Sequence, residues 1–292
     1  MTRTHHPASP DYPPQIDQAA LQDHGTDMES GPVESASVVM PTLNQARYLR
    51  AAIDSVLGQE RDFELECIVM DGGSSDGTLE ILQSYGSAIK WVSRPDGGQS
   101  DALNRGLRLS TGSVLGWLNS DDLYEPGALR RAVEVFRSEP TVQWAYGRVR
   151  IVDERGREIR RFVTAYKNWR MKHFTFEKLL VENWISQMGV FWRRSAWQLV
   201  GDFRTDLHLA MDYDYWLRLG KRWPAQYIPE YLGAFRWYVS SKSGSQFRQQ
   251  SDEELRIAKR HAGDHHEFLM FLHRMQTART VAAYRVLRSI GR

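Results

Sequence analysis

The sequence predicts an α/β protein with a doubly wound, mostly parallel sheet, a mixed region after it, and helices at its C-terminal end. Two observations carry that expectation. From Ser35 to about Phe136, short apolar runs alternate with stripes of helical period, the pattern of strands joined by crossover helices. The loops that follow those runs repeatedly carry aspartate and glycine, at the strand mouths where such sheets bind ligands.

Ala36 to Met40 reads as a buried strand, with Asn44 placed to cap the next helix. Leu49, Ile53, Val56 and Leu57 share one face of that helix, and Gly58 ends it. A second strand spans Leu65 to Met70, followed by a Gly/Ser loop and a short helix around Thr78 to Tyr85. Ile89 to Val92 is a third strand, with a helix near Ser100 to Leu109. Val114 to Leu118 is a fourth, and Pro126 opens a helix bearing Leu129, Val133 and Phe136. After Val142 to Tyr146 the alternation breaks, and Arg148 to Phe162 reads as a hairpin turning near Arg155-Gly156. His265 to Ile290 has helical period, with five arginines between positions 274 and 292 lining much of the other face.

Composition narrows the function classes. With 292 residues the chain can bury a sizeable core. Its 38 basic and 36 acidic residues leave a net charge of +2, so the chain lacks the overall basic footprint of a nucleic-acid binder. The single cysteine, Cys67, lies in an apolar run and reads as a buried thiol. Residues 1 to about 34 are polar and aperiodic, the composition of a disordered leader. The N-terminus lacks a signal-peptide core, and no run reaches the roughly 18 apolar residues of a membrane span. The expected location is cytoplasmic, with a peripheral place at the inner face of the membrane as an extension of it.

The chemistry concentrates in the loops. Asp71 ends a strand and opens Asp71-Gly72-Gly73-Ser74, where glycine lets a ligand approach the backbone and the carboxylate can accept from a base N–H. In the same loop Asp76 reads as a helix cap. Asp96-Gly97-Gly98-Gln99 repeats the arrangement after the third strand. Asp121-Asp122 follows Trp117-Leu118-Asn119-Ser120. Paired carboxylates there suit a hard divalent cation holding a diphosphate, although the same pair could simply cap the helix near Pro126. Asp212 and Asp214 sit among Tyr213, Tyr215 and Trp216. Asp214 is placed to pair with Arg218 at i,i+4. Asp212 is either an N-cap or, at the lip of an aromatic pocket, a general base.

From about Ser37 to Tyr238 the chain resembles the family-2 glycosyltransferases of the GT-A fold. The resemblance rests on ordered motifs: Pro41-Thr42-Leu43-Asn44, Asp71-Gly72-Gly73-Ser74, Asp96 with Gly98-Gln99, Asp101 to Gly106, Asn119-Ser120-Asp121-Asp122, and an acceptor-side segment. That last segment comprises Gly189 to Arg194, Gly201-Asp202-Phe203 and Met211 to Arg218. The resemblance implies a glycosyltransferase domain over 35–240, its nucleotide-sugar half at 35–146 and its acceptor half at 147–240, with a helical extension over 241–292.

It further implies that Thr42 and Asp71 hold the uridine base, with Pro41, Asn44, Asp96 and Gly98 in the same nucleotide-binding set. Asp121 would face the ribose, Asp122 would bind Mg²⁺ or Mn²⁺, and Asp212 would deprotonate the acceptor hydroxyl. The implied reaction is inverting transfer of one sugar from a nucleotide-diphosphate donor, UDP-linked, to a saccharide, lipid-linked or other hydroxyl acceptor. Two positions depart from the family's habit. Met211 stands where a glutamate often precedes the base, and Trp237-Tyr238 follows Phe235-Arg236 where a histidine is frequent.

Two other readings are compatible with such a sheet. A nucleotidyltransferase would want a basic, Gly-rich loop after the first strand, which Pro41-Thr42-Leu43-Asn44 does not supply. A non-catalytic nucleotide-sugar-binding protein would not need Asp122 and Asp212. For the last helix, docking on an anionic membrane, folding back on the domain and pairing with a second copy all remain open.

Overall fold

Eight strands share one sheet in the computed structural model, which describes residues 33–238, 246–263 and 267–290. Central β1 (Ser35–Thr42) runs parallel to β2 (Glu64–Asp71) on one side and β4 (Val114–Trp117) on the other, and β3 (Lys90–Ser93) extends β2 in parallel. Beyond β4 the sheet turns mixed. β7 (Val190–Arg193) is antiparallel to β4 and to β6 (Trp144–Val152). β8 (Gln226–Arg236) runs parallel to β6, and short β5 (Leu123–Tyr124) closes the far edge.

Strand residues alternate between two buried layers, as a period of two requires. Val38, Met40, Cys67 and Val69 pack under α1 (Ala46–Leu57), α2 (Thr78–Ser84) and α4 (Ala128–Ser138). Val39, Ile68, Leu115 and Trp117 pack under α3 (Gln99–Leu109) and α8 (Met211–Arg222). Helices on both faces make the sheet doubly wound, as expected. Cys67 is buried at 2% exposure, and desolvation pushes its thiol up to about 12.

The second layer is aromatic. Phe203 stacks on Tyr215 at 3.9 Å, and Trp144, Trp192 and Trp216 interlock beside them. Burying each such ring is worth roughly 1.5–3 kcal/mol, so this cluster fixes α8 against the sheet. The rest of the second layer comprises α5 (Arg161–Met171), α6 (Phe176–Val181) and α7 (Arg194–Val200), then α9 (Phe247–Ala262) and α10 (Glu267–Ile290).

Several local expectations are corrected. Asn44 does not cap α1: it adopts φ 52°, Gln45 is the N-cap, and the Ala46 N–H donates to Asp76 Oδ2 from the next loop at 3.0 Å. Asp76 is not the N-cap of α2, since Gly77 holds that position, but it accepts from the Thr78 N–H at 3.2 Å, so one carboxylate bonds the backbone at two helix starts. The hairpin keeps its turn near Arg155-Gly156, but the returning arm is a single bridge, Val152 to Glu158. Arg160 then turns left-handed at φ 53°, and α5 begins because Thr164 and Met171 are buried at helical spacing. The helix after Pro126 starts at Ala128, behind a left-handed Gly127. The leader expected over 1–34 lies outside the described residues up to 32, while Val33 is already buried.

Candidate active site

Parallel register brings the predicted loops to one edge. Thr42 and Asp71 are direct partners at the ends of β1 and β2. Pro41, one residue earlier, is buried opposite Met70. Thr42 is 6% exposed, and its Oγ1 has no hydrogen-bond partner among the described residues. A buried hydroxyl without a partner costs stability until one reaches it, and this one lies at the strand-end edge beside Asp71.

Asp71 is buried, and its own surroundings hold it. Oδ2 accepts from the Gly73 N–H at 3.2 Å, the Ser74 N–H at 3.0 Å and Ser93 Oγ at 2.6 Å, and Oδ1 accepts from Ser74 Oγ. Asn44 ties the β1 loop to this one, donating its N–H to Ser74 Oγ at 2.7 Å and accepting from the Ser75 N–H at 2.9 Å. Asp96 closes against the same loop: a Cβ on Gly72 would sit 3.0 Å from Asp96 Oδ2. Only glycine lets the two loops approach so closely. The Gly98 N–H donates to Asp96 Oδ1 at 2.8 Å, and Gly98, at φ +105°, starts α3.

A polar relay then crosses to β4. Gln99 Nε2 donates to Asn119 Oδ1 at 2.7 Å, Trp117 Nε1 donates to the same oxygen at 2.9 Å, and Asn119 Nδ2 reaches Asp122 Oδ2 at 3.3 Å. The paired aspartates are unequal. Asp122 is 1% exposed and accepts the Arg236 N–H from the end of β8 at 2.9 Å. Burial, then the neighbouring Asp121 charge, holds its carboxyl well above the ordinary range. Asp121 is half-buried, accepting from Tyr238 at Oδ2 and from Arg236 Nε at its carbonyl oxygen.

These residues fit a divalent cation. Two carboxylates are adjacent on one turn, and the buried charge of Asp122 beside the Asp121 charge is costly until a cation neutralises it. Among the described residues no group of three or more His, Cys, Asp or Glu forms an all-protein cage. Mg²⁺ commonly takes one or two carboxylates and leaves its other positions to phosphate oxygens and water.

The acceptor side joins this edge through α8. Ser100 Oγ lies 2.8 Å from Met211 Sδ, which sets the start of α8 beside the start of α3. Asp212 follows, partly exposed, its Oδ1 accepting from the Tyr213 N–H at 2.8 Å. It is not an N-cap, since Ala210 holds that position. Burial pushes its carboxyl up to about 6, against the Tyr213 hydrogen bond and the Lys167 ammonium and with Glu253 adding to the rise. Asp214 pairs with Arg218 as expected, at 2.9 Å, and also with His261 Nε2 at 2.9 Å.

Lys167 on α5 and Glu253 and Glu254 on α9 complete the surroundings of Asp212, and the sequence reading did not find them. Ser251-Asp252-Glu253-Glu254 reads as a solvated helix start, and no signal in it points inward. Burial pushes Glu254 up to about 7, opposed by its Asn183 hydrogen bond and reinforced by Asp212.

Comparison with known proteins identifies the family and the fold. The sequence profile named Glycosyl transferase family 2 matches residues 37–198. The chain is 30% identical to the chondroitin synthase of Escherichia coli over 199 residues, covering 67% of this chain but 28% of that protein. The chain therefore spans under a third of that relative's length. Among solved structures, Staphylococcus aureus TarS 1-349 in complex with UDP aligns with a TM-score of 0.56 at 18% identity, covering 76% of this chain and 65% of that one. The mannosyltransferase PcManGT from Pyrobaculum calidifontis, in complex with GDP-Man and Mn²⁺, aligns with a TM-score of 0.59 at 19% identity, covering 86% and 75%. At these identities the structural likeness establishes the GT-A fold.

Proposed function

The chain belongs to glycosyl transferase family 2 and is a glycosyltransferase, and we propose that it transfers one sugar per cycle from a UDP-sugar to an acceptor hydroxyl, with inversion, in polysaccharide or glycoconjugate synthesis. The observation that carries the donor site is the β1–β2 register, which sets the unpartnered Thr42 hydroxyl beside Asp71 at the strand ends, next to β4 and its paired aspartates.

Thr42 and Asp71 would take the uracil, with the second lone pair of Asp71 Oδ1 as the acceptor for its N–H. Pro41, Asn44, Asp96 and Gly98 would shape the pocket around the nucleoside, and Asp121 would reach the ribose and diphosphate. The Asp121–Asp122 pair would hold Mg²⁺ or Mn²⁺, which supplies Lewis-acid neutralisation of the leaving diphosphate. Asp212 would accept the proton of the attacking hydroxyl, since a carboxyl near 6 is largely ionised at neutral pH and still basic enough to take it. One base and one in-line displacement invert the anomeric carbon.

The acceptor is proposed to be presented at a membrane surface. Phe162, Tyr166 and Trp169 on α5 and Phe268, Phe271 and Met275 on α10 are exposed, and Gln276 Nε2 joins the two helices by donating to Tyr166 Oη at 3.1 Å. Arg161, Lys172, Arg274 and Arg279, in or next to the same two helices, are exposed as well, a combination that suits an anionic interface. No described helix is long and apolar enough to cross a membrane.

Thermal stabilisation by a panel of UDP- and GDP-sugars, with and without Mn²⁺, tests the donor reading, since a ligand of the folded state raises its stability. UDP-sugars should stabilise and release UDP on turnover. Stabilisation by GDP-sugars alone would overturn the uridine assignment.

A further inference from the structure

We infer that Glu253 of α9 is a positioning residue for Asp212, so that this helix, which lies beyond the matched residues 37–198, is part of the acceptor site. The inference rests on the reading of Asp212 as the base. Glu253 is 6% exposed, and its Oε1 accepts three consecutive backbone N–H groups: His208 at 3.1 Å, Leu209 at 2.9 Å and Ala210 at 2.8 Å. Ala210 is the N-cap of α8, and Asp212 is the second residue of that helix.

Ala210 stands at the N-cap, where the helix donors lack intrahelical acceptors and the dipole is positive, and His208 and Leu209 are the two residues leading into it. A buried carboxylate at that point makes charge-assisted bonds of about twice the ordinary strength. It therefore fixes the turn from which the Asp212 side chain departs. Two turns further along α9, His261 Nε2 lies 2.9 Å from Asp214 Oδ1, while Ile257 and Ala258 between them are buried in the core. The grip thus has two polar ends and an apolar middle, which sets both the position and the rotation of the base-bearing turn. Misplacing a reacting group by about 1 Å can cost on the order of 10²-fold in rate, so so firm a hold on a non-reacting turn has a catalytic consequence.

The charged groups facing Asp212 are Lys167 from α5 and Glu253 and Glu254 from α9. The Glu253 charge raises the proton affinity of Asp212, which provides a readout that a purely structural tie would not move. Glu253→Gln keeps an oxygen acceptor for the three N–H groups and removes the charge. Glu253→Ala removes both.

The test uses the full chain and the UDP-sugar that stabilises it most, with water as acceptor. UDP release gives kcat and its pH profile, and calorimetry gives UDP affinity. Glu253→Ala should lower kcat by about 10- to 100-fold with UDP affinity within about twofold of wild type. Glu253→Gln should recover most of kcat and move the acid limb of the profile to lower pH. Wild-type kcat in Glu253→Ala, or an unmoved acid limb in a folded Glu253→Gln, overturns the inference. The second variant decides the matter if the first does not fold. Asp212→Asn is run alongside. If it turns over at the wild-type rate, the base assignment fails and this inference falls with it; if it is inactive while Glu253→Ala is fully active, only the positioning role is lost.

Discussion

The phenol of Tyr238 donates a 2.7 Å hydrogen bond to Asp121 Oδ2, and thereby links the segment after β8 to the more accessible member of the aspartate pair. It stands in the region where related enzymes often carry a histidine. If Asp121 and Asp122 hold the cation, Tyr238 orients one of its ligands from outside. Tyr238→Phe should then weaken Mn²⁺-dependent UDP binding by about tenfold, the usual cost of losing an outer partner, and leave metal-free binding unchanged. Tyr238→His adds a nitrogen ligand and should strengthen the Mn²⁺-dependent part. Calorimetry with and without Mn²⁺ measures both, and identical metal dependence in all three proteins would count against the placement.

Asp122 has a structural and a proposed chemical duty, which two substitutions separate. Asp122→Asn keeps an acceptor for the Arg236 N–H while removing the charge. It should fold with a melting temperature near or above that of the metal-free wild type, because the buried charge is gone, and should show no Mn²⁺-dependent gain in UDP affinity. Asp122→Ala strands the buried Arg236 N–H and should lose about 1–3 kcal/mol of stability as well. Full Mn²⁺ dependence in Asp122→Asn would sink the metal role.

The Thr42 hydroxyl gives the sharpest contrast between ligand and fold. Because Oγ1 is buried without a partner, Thr42→Val should leave thermal stability unchanged or raise it. If that hydroxyl meets the uracil, the same change should weaken UDP and UDP-sugar alike, by about 1 kcal/mol for a neutral hydrogen bond. Unchanged UDP affinity in calorimetry would remove Thr42 from the base pocket. Asp71→Ala should also weaken both ligands by a common factor, with a stability loss on top, because the Gly73 and Ser74 N–H groups lose their acceptor.

What the sequence discloses here follows from the distance over which each cause acts. β1, β2 and β4 are legible because a short apolar run ending in polar loop residues is a local signal, and Thr42, Asp71 and Asp122 inherit their places from it. The burial of Asp122 is not legible, since its partner, the Arg236 N–H, is 114 positions away. Asp76 reads as the cap of its own helix, yet Gly77 takes that position and Asp76 instead bonds the first N–H of both α1 and α2. Glu253 looks solvated because nothing near it in the chain shows that His208 to Ala210 will fold onto it. α5 is missed because the sequence reads as a hairpin running to Phe162 with no element assigned directly after it, whereas the left-handed Arg160 ends the returning arm and α5 starts at Arg161.

Activity and the stability contributed by two buried carboxyls should respond to pH in opposite directions. As a base, Asp212 must be ionised, and burial holds its carboxyl up to about 6, so kcat/KM should fall as pH drops through about 6. Folded Asp212 and Glu254, the latter pushed up to about 7, bind protons more tightly than carboxyls in an unfolded chain, which titrate near 4. Between those values these two groups hold more protons in the folded state than in the unfolded one, so their contribution to stability falls as pH rises from about 4 through 7. Burial lowers the His273 imidazole, which contributes in the opposite sense, so the test compares slopes: between pH 5 and pH 8 the urea midpoint of Glu254→Gln should fall less, or rise more, than that of the wild type. An unchanged slope in Glu254→Gln would refute the assignment.

The aromatic face shared by α5 and α10 makes a prediction that does not depend on catalysis. α10 does fold back on the domain, since Met270 and His273 are buried and Gln276 bonds Glu182 at 2.9 Å. It still leaves Phe268, Phe271 and Met275 outward, on a helix that Gln276 ties to Tyr166 of α5, where Phe162 and Trp169 are also exposed. Phe268→Ser with Phe271→Ser alters only exposed positions, so the variant should retain the wild-type melting temperature. It should lose sedimentation with phosphatidylglycerol vesicles, and wild-type binding should weaken with salt because each basic residue near the surface contributes about 1 kcal/mol through a screened field. Neutral vesicles should bind less in both cases. Equal sedimentation of wild type and variant would rule out the membrane role, and a concentration-dependent dimer present in the wild type and lost in the variant would assign the face to self-association.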